Sequence, residues 1–179
     1  QSQPLYLIVI AEKLTVQNII SPVCSKYSIP YMIGRGYSSL PARYKIYKQF
    51  KESGKEKLLL MVLSDFDPDG IVIGESLLQS FREDFGLKSV EAVWVGLNPE
   101  HIDRFDLIQN SNNAKKSSPQ YKKFIKRYGK KVKAYELEAL EPEQLKEILK
   151  EKIDQLIDVK AFNAELDAEK EDAKFLQTA

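Results

Sequence analysis

The stretch LLLMVLSDFDPDGIVIG, Leu58–Gly74, decides how this chain is read. Its first half, Leu58 to Leu63, is too short for a typical helix and lacks polar alternation, so it reads as a strand buried on both faces of a parallel sheet. Asp65, Asp67 and Asp69 then fall on the loop at the strand's carboxyl end, the edge where open α/β sheets bind ligands. After Gly70, the apolar residues Ile73, Leu77, Leu78, Phe81 and Phe85 recur with a helical period, and Asp69 is placed to cap that helix. Three carboxylates within five residues repel one another unless a cation compensates them. Hard oxygen ligands of this kind suit Mg²⁺ (or Mn²⁺), which shares its shell with water and phosphate. Equally, such a loop can be a helix cap, Asp69, preceded by two solvated acids. A second acid at the same sheet edge favours the cation.

Leu5–Ile10 is another uninterrupted apolar run, and it ends in Ala11-Glu12-Lys13. Glu12 is the second acid. If the first and third strands are parallel neighbours, Glu12 and the Asp65 loop leave the sheet at one edge, and their separation of about fifty residues suits two crossover units. Between them, Thr15–Tyr27 reads as a helix with Ile19, Ile20 and Val23 inward and Pro22 as a site of kinking. Tyr31–Ile33 is a short strand. Gly34-Arg35-Gly36-Tyr37-Ser38-Ser39 follows, a turn whose serines cap a helix of Leu40, Tyr44, Tyr47 and Phe50 that Gly54 ends. The free N–H groups at that helix start, with Arg35 and Arg43 beside them, suit a phosphate; the plainer reading is a tight turn.

Downstream, Ala92–Val95 is the fourth strand, and Asn98 and Pro99 begin the next helix as its N-cap and first residue. His101, the only histidine, reads as solvent-facing, and without a Cys or His partner it offers no zinc site. Gln109–Gln120 reads as a disordered polar loop, Val132–Leu137 as a further edge strand. Glu141–Asp158 is an amphipathic helix with Leu145, Ile148, Leu149, Ile153, Leu156 and Ile157 inward. The expected fold is therefore α/β: a central, mainly parallel sheet of about four strands flanked by helices. One domain spans 1–158, and 159–179 is an acidic C-terminal helix or tail.

With 179 residues, 43% hydrophobic and 30% charged, the chain has the composition of a soluble globular protein, and no apolar run is long enough to span a membrane. Cys24 is the single cysteine, which points to a reducing compartment and so to the cytoplasm. The absence of an initiator Met before the first apolar run reads as a piece of a longer protein. The net charge of +1 hides an asymmetry: Lys115–Lys133 holds nine basic residues and no acid, whereas acids outnumber bases from Ala134 onward. Lys122, Lys123, Lys126 and Arg127 lie at the centre of that block, which can neutralise nucleic-acid phosphates or serve as a solvated helix face.

Ala11-Glu12-Lys13, Gly34-Arg35-Gly36-Tyr37, Asp65-Phe66-Asp67-Pro68 with Gly70-Ile71, and Val95-Gly96-Leu97-Asn98-Pro99 resemble, in order, the motifs of the Toprim domain of the topoisomerase VI A subunit and its meiotic double-strand-break relatives. The resemblance covers about Leu5 to Leu107, with a fainter echo in Tyr135–Leu140. Asp69 departs from that family, which usually has an aromatic residue there, and makes the loop similar to the DxDxDG of type IIA topoisomerases. The resemblance implies a Rossmann-like fold in which Glu12, Asp65, Asp67 and Asp69 hold one or two Mg²⁺ against a scissile phosphate. Glu12 would also act as general acid or base, and Lys13, Arg35 and the basic block would track DNA. It further implies a nucleoid-associated or cytoplasmic protein whose partners are DNA, further domains upstream and, in some assemblies, a second copy of itself.

In topoisomerase VI the attacking tyrosine lies on a separate upstream domain, and no tyrosine here has the context of a nucleophile, so transesterification and hydrolysis of the type in OLD nucleases both remain open. Two other classes compete. A haloacid-dehalogenase-type phosphatase also carries DxD after a strand, but normally after the first strand and without the Asp69-Gly70 that follows here. A Toprim fold retained as a non-catalytic DNA-binding or assembly module fits the same motifs.

Overall fold

The apolar runs become strands because neither offers a polar face: β1 (Leu5–Ala11) and β3 (Lys57–Leu63) form the middle of a sheet covered on both sides. The computed structural model describes residues 3–34 and 39–157. Its main sheet is four-stranded in the order β2-β1-β3-β4, with β2 at Tyr31–Ile33 and β4 at Val90–Trp94, and every pairing is parallel. The fold is α/β and Rossmann-like. β1 and β3 pair over their whole length, from Leu5 opposite Lys57 to Ala11 opposite Leu63.

Strand alternation divides the interior into two cores. Leu7, Val9 and Ala11 of β1 and Leu59, Met61 and Leu63 of β3 face one side, where they meet α1 (Gln17–Lys26), α4 (Pro99–Arg104), α5 (Tyr121–Tyr128) and α6 (Pro142–Leu156). Ile8, Ile10, Leu58, Leu60 and Val62 face the other side, against Ile46 and Phe50 of α2 (Leu40–Glu52) and Leu77 and Phe81 of α3 (Ile73–Phe85). Each fully buried aliphatic side chain contributes about 1.5–3 kcal/mol of transfer free energy, which makes these two strands the centre of the fold's stability. Tyr27 Oη donates to Asp154 Oδ1 at 2.7 Å and ties α1 to α6. Arg104 grips both oxygens of Glu151 at 2.8 Å and ties α4 to α6.

Several local expectations change. The helix placed at Thr15–Tyr27 starts as a 3-10 turn, Leu14–Val16, and becomes α-helical only at Gln17, with Pro22 inside on an exposed position. In α2 the buried residues are Ile46 and Phe50, whereas Leu40 and Tyr44 are exposed, Tyr44 lying against the rings of Tyr47 and Phe85 instead of the sheet core. The polar segment Gln109–Gln120 is ordered: Asn112 and Asn113 form β5, antiparallel to β6 (Lys133–Ala134). The edge strand expected at Val132–Leu137 thus belongs to this separate two-stranded ladder, with one further bridge from Tyr135 to Phe66. Asn98 caps α4 as the sequence suggests, its Oδ1 accepting from His101 N–H at 3.0 Å. The tail at 159–179 lies outside the described residues, among which no helix is long and apolar enough to cross a membrane.

Two glycines let the loops at the carboxyl edge nest. A Cβ on Gly70 would lie 2.2 Å from Asp65 O, and one on Gly96 would lie 2.1 Å from Ser64 O and 2.7 Å from Trp94 Nε1. Buried Ser64 sits at the centre of this contact, its hydroxyl donating to Gly70 O and accepting from Trp94 Nε1–H, both at 3.0 Å. Gly96→Ala should therefore lower stability by about 3 kcal/mol, at the upper end of overpacking costs. Urea denaturation measures it, and a loss below about 0.5 kcal/mol would show that the loops do not depend on this close approach.

Candidate functional site

Ala11 pairs with Leu63, and Glu12 N–H continues the ladder by donating to Leu63 O at 3.3 Å. Glu12 therefore leaves β1 beside Ser64, and Asp65 follows one residue farther on, just beyond the end of β3, where the paired strands run about 5 Å apart. In the order β2-β1-β3-β4 the chain reverses its direction of travel across the sheet between β1 and β3. This is the topological switch point, where the crevice of an open parallel sheet lies.

Asp65 is the deepest of the acids. Its Oδ1 accepts the Leu137 N–H at 2.8 Å and its Oδ2 pairs with Lys13 Nζ at 3.0 Å. Burial pushes its pKa above the ordinary carboxylate value, against the pull of the Leu137 N–H and the Lys13 ammonium. Lys13 also reaches Glu138 Oε2 at 2.6 Å and Glu136 Oε2 at 3.4 Å, and Thr15 Oγ1 donates to Glu138 Oε1 at 2.9 Å. Burial raises the pKa of Glu138, but the Lys13 ammonium, a backbone N–H and the Thr15 hydroxyl outweigh it and hold the group below the usual range.

The other two loop acids are engaged locally. Asp67 Oδ1 accepts the N–H groups of Asp69 at 3.0 Å and Gly70 at 2.6 Å, so Asp67 organises the turn into α3. Asp69, expected as the cap, makes no such bond; its Oδ1 accepts the hydroxyl of buried Ser118 at 2.5 Å. Among the described residues no three His, Cys, Asp or Glu side chains gather closely enough to hold a metal ion. The donors nevertheless suit Mg²⁺, which commonly binds through one or two carboxylates and completes its shell with water and phosphate. Glu12 and Asp65 are the pair that the strand register brings to one edge.

Between the acids the loop points inward. Phe66 is 1% exposed and meets Trp94, Phe124, Tyr128 and Tyr135, with ring centroids 4.9 to 6.4 Å away. Its N–H and C=O exchange hydrogen bonds with Tyr135 at 2.9 and 3.0 Å. Through Phe124 and Tyr128 this one side chain docks α5 on the acidic loop. The outer face of α5 carries Lys122, Lys123, Lys126 and Arg127, all exposed. Lys123 pairs with Glu75, whereas among the described residues Lys122 and Lys126 make no ion pair.

Other expected residues fall elsewhere. Arg43 pairs with Asp84 at 3.4 Å, in the last turn of α3, about 20 Å of helix from the loop that precedes α3. Arg35 lies outside the described residues. His101 is half-buried rather than solvent-facing, and burial lowers its pKa. Ser64, Ser118, Glu136 and Glu138 join the site without a sequence motif that marks them. Only the echo in Tyr135–Leu140 pointed toward the glutamates, since a contact across 125 residues with Lys13 leaves no local pattern.

The raised pKa of Asp65 fixes the sign of a pH effect. The folded state disfavours the charged carboxylate, so Asp65 costs stability above its folded pKa and the cost disappears as pH falls through that value. Metal-free Asp65→Asn should match or slightly exceed wild type in thermal stability at neutral pH, with the difference closing in acid. A variant clearly less stable at neutral pH would mean that the ion pair with Lys13 outweighs burial. Comparison with protein-family models, with curated proteins and with solved structures returned no match.

Proposed function

We propose that this chain is the metal-binding Toprim-type domain of a DNA strand-breaking protein, acting with further domains of the same protein. The observation that carries the reading is the placement of Glu12 and Asp65 at the carboxyl ends of two adjacent parallel strands, at the switch point of the sheet. The exposed basic face of α5, held against the same loop by Phe66, supports DNA as the substrate. A divalent ion at Glu12 and Asp65 would supply charge neutralisation at a scissile phosphate. Asp67 keeps the loop folded back on α3, and Glu12 is placed to take or give the proton of the attacking or leaving oxygen. Lys122, Lys126 and Arg127 orient the duplex through its phosphates. The reaction class is phosphodiester scission, with a tyrosine from another domain or a water as the attacking group.

A second reading, the non-catalytic DNA-binding or assembly module, is favoured by the Lys13 ammonium on Asp65 and by the engagement of Asp67 and Asp69 with loop N–H groups and Ser118. Titration of Mn²⁺ into wild type, Asp65→Asn and Asp67→Asn separates the two. Saturable binding that tightens with DNA and falls at least tenfold in Asp65→Asn supports the metal site; equal, nonspecific responses from all three support the module. Cleavage by the isolated chain should be slow or undetectable, because metal ligands alone do not position an attacking group.

The basic face gives a further expectation. Charge reversal at Lys122, Lys123, Lys126 and Arg127 together should weaken DNA binding and flatten the slope of log affinity against log salt by about 3 to 4. Unchanged affinity would assign this face to solvation.

A further inference from the structure

Among the described residues Lys13 is the one cation in contact with Asp65, and it is shared. Its Nζ lies 3.0 Å from Asp65 Oδ2, 2.6 Å from Glu138 Oε2 and 3.4 Å from Glu136 Oε2. The partners on either side are held in place by other groups. Asp65 Oδ1 is fixed by the Leu137 N–H at 2.8 Å, which leaves Oδ2, the oxygen under the ammonium, as its outward donor. Glu138 Oε1 is fixed by the Thr15 hydroxyl at 2.9 Å, which presents Oε2 to Lys13. Glu138 and Asp65 are carried by different walls of the crevice, the 3-10 turn Leu137–Ala139 and the end of β3. The ammonium sits on a flexible four-carbon stem, so it can leave Asp65 without losing a partner.

We propose that Lys13 is an internal rival of the divalent cation at Asp65, and that Glu138 is the positioning residue that receives the ammonium when the cation binds. This inference rests on the metal-binding reading above. An approaching cation needs Asp65 Oδ2 and meets a positive charge already on it, so occupancy by one disfavours the other, and the coupling is reciprocal. With Glu138 present, Lys13 keeps a carboxylate partner after the exchange; without it, Asp65 becomes the main partner of Lys13 and the cation competes against a tighter pair. Lys13 and Glu138 thus set the affinity of the site while Asp65 makes the bond.

The test is calorimetric titration of Mn²⁺ alone into wild type, Lys13→Met, Glu138→Gln, the double variant and Asp65→Asn, each with a metal-free thermal melt to establish folding. Lys13→Met should bind Mn²⁺ at least tenfold tighter than wild type and melt lower without metal. Glu138→Gln should bind several-fold more weakly, and its effect should shrink toward none in the Lys13→Met background, because Glu138 acts through Lys13. A merely structural role for the pair would move the melts and leave these affinities alone. Should Lys13→Met prove unfolded, the Glu138→Gln titration decides, and wild-type affinity there overturns the proposal. Asp65-dependent binding that ignores both Lys13 and Glu138 overturns this inference and leaves the metal site standing. No Asp65-dependent binding in any chain removes both.

Discussion

The parallel pairing of β1 with β3 sets both the sheet's register and the positions of the loops that leave it. Seven consecutive residues of each strand pair in register at the centre of the sheet, and their side chains supply both hydrophobic cores. Slipping the register by one residue would turn each strand's core set onto the opposite face, so burial on both sides fixes it firmly. The ends of the strands are fixed with it. Glu12 and Asp65 therefore stand at one edge as a consequence of packing in the middle of the molecule, and the chemistry proposed for them is built on the most buried part of the chain.

The acidic loop works by alternation. Asp65, Asp67 and Asp69 take polar partners, whereas Phe66 and Pro68 between them are buried. Phe66 does for the loop what the strand pairing does for the sheet: it fixes one element against another distant in sequence. Its contacts with Phe124 and Tyr128 hold the basic helix α5 beside the acids, so the exposed basic face and the acidic edge share one support. Substituting Phe66 would disturb both together, which is why its role differs from that of the exposed lysines around it.

What could be read directly from the residues follows from how local the controlling physics is. Uninterrupted apolar runs declare buried parallel strands, and the periodicity of Leu145, Ile148, Leu149 and Ile153 declares the buried face of α6. Asn98-Pro99 marks a helix start because capping involves only neighbouring residues. The misreadings are tertiary. Gln109–Gln120 has the composition of a disordered loop, yet Ser118 is buried against Asp69 from a distant segment. Asp69 sits where a cap belongs, but Asp67 reaches the N–H groups first. The pairing of Lys13 with Glu138 needed the whole fold to bring its halves together, so Lys13 was legible as a cation beside Glu12, whereas its seat between Asp65 and Glu138 was not.

The divalent-cation site proposed at the edge formed by Glu12 and Asp65 can be sought by anomalous diffraction from crystals soaked in Mn²⁺, since manganese marks its own position. A peak is expected at coordination distance from carboxylate oxygens of Asp65 and Glu12, with the Lys13 ammonium moved onto Glu138. A map with no peak at that edge, and with Lys13 still paired to Asp65, would contradict the proposed site.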